Sequence, residues 1–264
     1  MIGCFSNTYA QGDLFINPKR VVFEGTKLSQ EISLANTGND TARYVVSFVQ
    51  IRLKDDGNFQ VIEEPDSGQR FADKNLRLFP RTVRLGPKES QTVKIQVYQK
   101  NNLTAGEYRS HLYFRAVPSN KPLDGKKEQD SSKNVTVKLV PVYGITIPVI
   151  IRIGENSSKV AITALKLEQS AELGTTVSFR MNRTGNMSVY GNLNVDHIST
   201  SGKVTKAGFI KGISVYTPNT FREVQLKLDD KAIFDHHSGK IQVTFSNITN
   251  SKTEKIIPAE LLLN

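Results

Sequence analysis

Apolar and polar positions alternate along this chain in short runs. Gln91–Tyr98 carries Val93, Ile95 and Val97 on one face, and Leu28–Asn36 places Leu28, Gln30, Ile32 and Leu34 in the same register. Gly106–Val117 sets Tyr108, Ser110, Leu112, Phe114 and Ala116 on a single face. A period of two is the signature of strands with one side buried, and no stretch of a dozen residues shows a convincing helical period. The runs Asp13–Ile16, Arg20–Glu24, Arg43–Lys54, Leu76–Phe79 and Arg81–Leu85 read as further strands. Between them lie turn formers such as Asn36–Asp40, the Asp55-Asp56-Gly57-Asn58 tetrad and Gly86-Pro87. Strands recurring about every ten residues predict a β-sandwich.

The longest patterned stretch is Asn134–Ile151. It opens with Val135, Val137 and Leu139 on one face and Thr136 and Lys138 on the other, then turns almost wholly apolar through Ile145, Ile147, Val149, Ile150 and Ile151. It exceeds the usual length of a strand, so two segments bent near Pro141–Gly144 are expected. A charged run precedes it and GENSSK follows it, reading as a loop and a linker. Apolar residues in excess of what such a setting can bury suggest a surface that another chain completes.

The second half repeats the pattern more loosely. Val160–Glu168, Thr175–Asn182, Ser188–Ile198, Phe209–Val215, Phe221–Leu228, Lys240–Phe245 and Ile256–Leu263 are expected strands. Arg183–Asn186 and Thr200–Lys203 are expected hairpin turns. The fold class expected is all-β: two immunoglobulin-like β-sandwich domains joined by a short linker. Residues 13–153 would form the first and 154–264 the second.

Composition narrows the function. The 264 residues are 38% hydrophobic, lack Trp and carry a formal net charge of +10. The cations are dispersed among 25 acids, with no basic block interleaved with aromatics, so nucleic acid is not an expected partner. One cysteine, Cys4, excludes an intramolecular disulfide. The uncharged start MIGCFSNTYAQ reads as the remnant of a signal peptide (residues 1–12) cleaved after Ala10, which implies export to the periplasm. Lipid attachment at Cys4 is the competing reading.

Catalytic, metal and cofactor signatures are not found. His236 and His237 are adjacent with no spaced carboxylates or thiols to complete a metal set, and His111 is expected at the surface. There is no nucleophile elbow, Walker loop or dinucleotide fingerprint, so no enzyme, cofactor or small-molecule substrate is expected. Arg20, just before a Val-Val-Phe strand, reads from composition as an ordinary surface cation.

Three segments together change that reading. PKRVVFEG (residues 18–25), FPRTVRLGPKESQTVKI (79–95) and GEYRSHLYFRAVP (106–118) resemble the periplasmic chaperones of the chaperone–usher pilus pathway. NRTGNMSVYGNLNV (182–195) is similar, more faintly, to that family's second domain. The resemblance implies capture of pilus or other exported fibre subunits, with an outer-membrane usher as a further partner. It implies that Val135, Val137 and Leu139 lend apolar side chains to a subunit that lacks a strand. It also implies that Arg20 binds the subunit's terminal carboxylate. The family's partnering lysine has no counterpart, since the matching position is Gly144, or Tyr143 if the gap is placed differently. Self-association through the edge strand is a further expectation. The alternative is a structural or adhesive β-sandwich protein of the cell surface.

Overall fold

The computed structural model describes residues 14–118, 142–170, 172, 174–248, 253–255 and 258–263. Val135, Val137, Leu139 and the first twelve residues lie outside them.

Eighteen strands are described: β1 (Leu14–Asn17), β2 (Val21–Phe23), β3 (Ser29–Asn36), β4 (Ala42–Leu53), β5 (Phe59–Ile62), β6 (Leu76–Phe79), β7 (Thr82–Leu85), β8 (Ser90–Val97), β9 (Gly106–Ala116), β10 (Gly144–Ile153), β11 (Lys159–Ser170), β12 (Gly174–Thr184), β13 (Val189–Ile198), β14 (Val204–Val215), β15 (Phe221–Lys227), β16 (Lys240–Ile248), β17 (Thr253–Lys255) and β18 (Ala259–Leu262). The all-β class stands, and no helix among the described residues is long and apolar enough to cross a membrane. The chain divides into two compact units interleaved in sequence. One comprises residues 1–49, 72–101 and 110–150; the other comprises 50–71, 102–109 and 151–264.

In the first unit one sheet has the order β1-β3-β8-β6. The second sheet contains β2-β10-β9-β4, with β7 also on β4. Alternation drives both. Ile32 and Leu34 of β3 and Val93 and Ile95 of β8 are buried from one sheet; Tyr44, Val46, Leu112, Phe114 and Val149 are buried from the other. The Asn36–Asp40 turn is held by its first side chain: Asn36 Nδ2 donates to the carbonyls of Asp40 and Leu85, and its Oδ1 accepts from Gly38 N–H. An Asn buried at a turn is stable only when so satisfied.

In the second unit β11-β12-β15 form one sheet, while β14-β13-β16 form another with β17 and β18 on β16. Its core includes Phe179, Met181, Leu193, Val195, Val243 and Phe245. Thr200–Lys203 is a hairpin turn as expected, with Ser199 N–H bonded to Lys203 O at its neck. Arg183–Asn186 is not. Here β12 pairs with β11 and β15, whereas β13 pairs with β14 and β16, so this turn carries the chain from one sheet to the other. Hairpins and sheet-to-sheet corners draw on the same turn residues, and only partner choice separates them.

Candidate functional site

The described part of the long stretch begins at Val142 and runs into β10. The first three residues of β10, Gly144–Thr146, are exposed; Ile147 is buried, and from Val149 to Arg152 every residue is buried. Ile147 and Val149 alternate into the core, which fixes the strand's register. In the sheet β10 lies between β9 and β2. Pairing on the β9 side reaches back to Tyr143, whose carbonyl accepts from Ala116 N–H at 3.0 Å. On the other side β2 has three residues against ten in β10, so it can pair only a short part of that flank. Among the described residues no strand lies beyond β2. At the mouth of β10, Val142, Tyr143 and Ile145 are 44%, 62% and 41% exposed. Three large apolar groups beside incompletely paired backbone make an edge able to accept or donate a strand.

Arg20 immediately precedes β2. Val21 and Phe23 are buried and pin that strand, leaving Arg20 half-buried at the entry to the strand next to β10. Gly144 faces the Tyr113 ring: a Cβ built there would lie 2.1 Å from the ring's Cε2. A lysine at that position would have to displace the ring. The second cation of the pair expected from the resemblance is thus replaced, at this position, by an aromatic side chain lying over bare backbone.

The second unit contains a buried charge cluster that sequence reasoning missed. The Glu107 carboxylate accepts from Ser188 N–H at 2.9 Å, from Arg152 Nε at 3.2 Å, from the Thr217 hydroxyl at 3.4 Å and from the Ser188 hydroxyl. Arg109 Nη1 lies 3.7 Å from it and donates to Thr217 O at 3.0 Å, its guanidinium stacked on Tyr216. Burial pushes the Arg183 guanidinium below its ordinary value, an effect that the charge of Glu107 opposes. Glu107 and Arg109 occupy the face of β9 that alternation assigns to solvent. The available signal was Arg152, a charge closing the apolar run Val149–Ile151. His111, expected at the surface, is 4% exposed. From Arg109 to Leu112 all residues are buried, so β9 is covered on both faces there and the period-two rule does not apply. No group of three or more potential metal ligands occurs among the described residues.

The family described as "Pili and flagellar-assembly chaperone, PapD N-terminal domain" matches residues 13–152, which span β1 to β10. The chain belongs to this family. The chaperone has no significant match among curated protein sequences. Solved structures similar to it include the YadV chaperone, with 15% identity, 94% of this chain and 100% of that one covered, and a TM-score of 0.48. The Pseudomonas aeruginosa CupB2 chaperone is 13% identical, with 95% and 100% covered and a TM-score of 0.46. The Salmonella enterica SafA pilin–SafB chaperone complex gives 14%, 95%, 96% and 0.43.

Proposed function

We propose that this chaperone captures pilus or other exported surface-fibre subunits by donating an edge strand from the segment that runs into β10. The observation that carries the reading is the family match across residues 13–152, the part of the chain that contains β10 and Arg20. The short flank offered by β2 and the exposed Val142, Tyr143 and Ile145 supply the matching physics. Added strands gain main-chain hydrogen bonds along the edge, and alternate side chains fill pockets. Val135, Val137 and Leu139 are the donated side chains in this reading. Burial of each is worth ~1.5–3 kcal/mol before ordering costs. That range suits a complex that must later release its cargo.

Arg20 supplies the positive charge for the subunit's terminal carboxylate. A guanidinium binds carboxylate through two parallel hydrogen bonds, so one arginine can orient the chain end where no lysine stands at Gly144. The protein is non-enzymatic, works in the periplasm after export through the segment 1–12, and passes its cargo to an outer-membrane usher. Along the sequence the chaperone domain is assigned to residues 13–153 and the second domain to 154–264, a simpler division than the interleaved compact units. Family membership disfavours a structural or adhesive surface protein.

The test is capture of a purified subunit lacking its final strand. Val137→Asp should abolish capture while leaving the melting temperature within a few degrees of the parent, because an ionised carboxylate would have to enter an apolar groove. A collapsed melting temperature would place Val137 in the protein's own core and remove strand donation.

A further inference from the structure

The outward face of the β10-β9-β4-β7 layer in the first unit carries an arrangement that its fold does not require. Arg43 on β4 stands directly opposite Arg84 on β7 in the antiparallel register. Arg115 on β9 stands opposite Val45, one same-face step along β4 from Arg43. All three are exposed, while Tyr44, Val46, Val83, Leu85, Phe114 and Ala116, on the other side of the same strands, are buried. Directly opposed side chains in such a pair have Cβ atoms about 4.5–5.5 Å apart, and diagonal neighbours about 7–8 Å. Three arginines therefore share one patch of the sheet face.

Among the described residues of these strands nothing of opposite sign lies within it. The described first-unit residues of β4, β7, β9 and β10 include no Asp or Glu. The acids bordering these strand ends are Asp40 and Glu89, and the Glu89 carboxylate accepts from Gly86 N–H at 2.6 Å. Like charges directly opposite each other oppose pairing, so the Arg43–Arg84 pair costs the sheet stability. A feature that breaks a local rule, with no compensating acid among the described first-unit residues of these strands, points to a role outside the fold.

We propose that this arginine face is a docking surface for an acidic polypeptide segment of a protein partner. The charge demands an anionic ligand, and the setting selects a polypeptide. Arginine beside an aromatic side chain on an exposed face is the composition of protein-interface hot spots. Tyr113 lies on the same face, its ring over Gly144, next along β9 from Arg115. Carboxylates spaced along an extended segment can each meet a guanidinium in paired hydrogen bonds, which a diffuse anionic surface does not do in register. The inference goes beyond strand donation and holds whether or not the segment before β10 is donated.

The test uses the full chain and a labelled synthetic peptide alternating Glu and Thr, read by fluorescence anisotropy at low ionic strength. A peptide with Gln in place of Glu and vesicles containing anionic lipid serve as the other arms. The Glu peptide should bind and weaken as salt rises, and the Gln peptide should not bind. Combining Arg43→Gln, Arg84→Gln and Arg115→Gln should weaken binding roughly tenfold or more. Arg84→Glu alone should weaken binding and raise the melting temperature, because it turns a like-charge pair into an opposite-charge one. Capture of a strand-deficient subunit by Val137→Asp protein is a separate readout, so loss of strand donation leaves peptide binding intact. Equal binding of the two peptides, or unchanged Glu-peptide binding by the triple variant, would overturn the proposal. So would arginine-dependent retention of the vesicles in place of the peptide, since the face would then serve a membrane.

Discussion

The proposed carboxylate anchor rests on one residue. Arg20 stands at the entry to β2, the strand beside β10, and Gly144 of β10 offers no second cation. If the subunit's carboxylate is held there, Arg20→Ala should weaken capture by ~2–5 kcal/mol, and Arg20→Lys should weaken it less. Amidation of the subunit's C-terminus should reproduce the loss, and the two changes combined should cost little more than either. Capture unaffected by Arg20→Ala, measured by competition binding, would remove the carboxylate anchor and leave strand addition standing. Glu107 plays a structural part. Its carboxylate balances Arg152 and Arg109, whose side chains are 7% and 2% exposed, so Glu107→Ala would leave buried cations without their counter-charge. The expected loss is about 3–5 kcal/mol of stability, readable by urea denaturation. Asp66 gives a milder dependence. The hydrogen bond from Arg52 holds its carboxyl below the ordinary aspartate value. A depressed carboxyl contributes stability above its unfolded value, near pH 3.9, and loses it as pH falls toward the folded value. Asp66→Asn should flatten the acid limb of the stability profile by a small amount, the pair being partly exposed.

At the scale of elements, β10 is the strand through which the proposed donation meets the fold. Its buried half, Ile147 and Val149, belongs to the first unit's core, and its exposed start lies beside Val142 and Tyr143. Substitutions should therefore divide by position. Val149→Ala, a fully buried change, should cost stability by a kcal/mol or more with little direct effect on binding. Ile145→Lys should leave stability nearly unchanged and lower self-association, because a charged edge residue blunts strand-to-strand pairing. Sedimentation at several concentrations, with and without the change, checks the second half. A parent protein that stays monomeric at high concentration would show that the open flank does not recruit a second copy. The Arg183–Asn186 corner teaches a related lesson. Its Thr-Gly-Asn core suits a hairpin, yet Arg183 is committed to the carbonyls of Gly185, Met187 and Asn219, bonds that belong to a crossover.

For the molecule as a whole, the expected compartment follows from chaperone work on exported subunits. Protein recovered from the periplasmic fraction should begin at Gln11 by mass spectrometry. An acylated Cys4 would instead place it on a membrane, and full-length cytoplasmic protein would contradict export.

Local pattern was sufficient for most strands of both units, though not for β5 or β17, for the all-β class and, through three quoted segments, for the chaperone family. Period-two alternation is a property of neighbouring residues and needs no knowledge of partners. It was insufficient wherever a strand is covered on both faces. His111, Glu107 and Arg109 look like a solvent face in the chain and are buried in the structure; Glu107 and Arg109 are met by residues far along the chain, Ser188 and Thr217 for the first and Thr217 and Tyr216 for the second. The confrontation of Arg43 with Arg84 across forty-one positions, and the Tyr113 ring over Gly144, depend on strand register. Register is set by the summed packing of a sheet, so tertiary structure alone decided which of these charges oppose one another and which are matched.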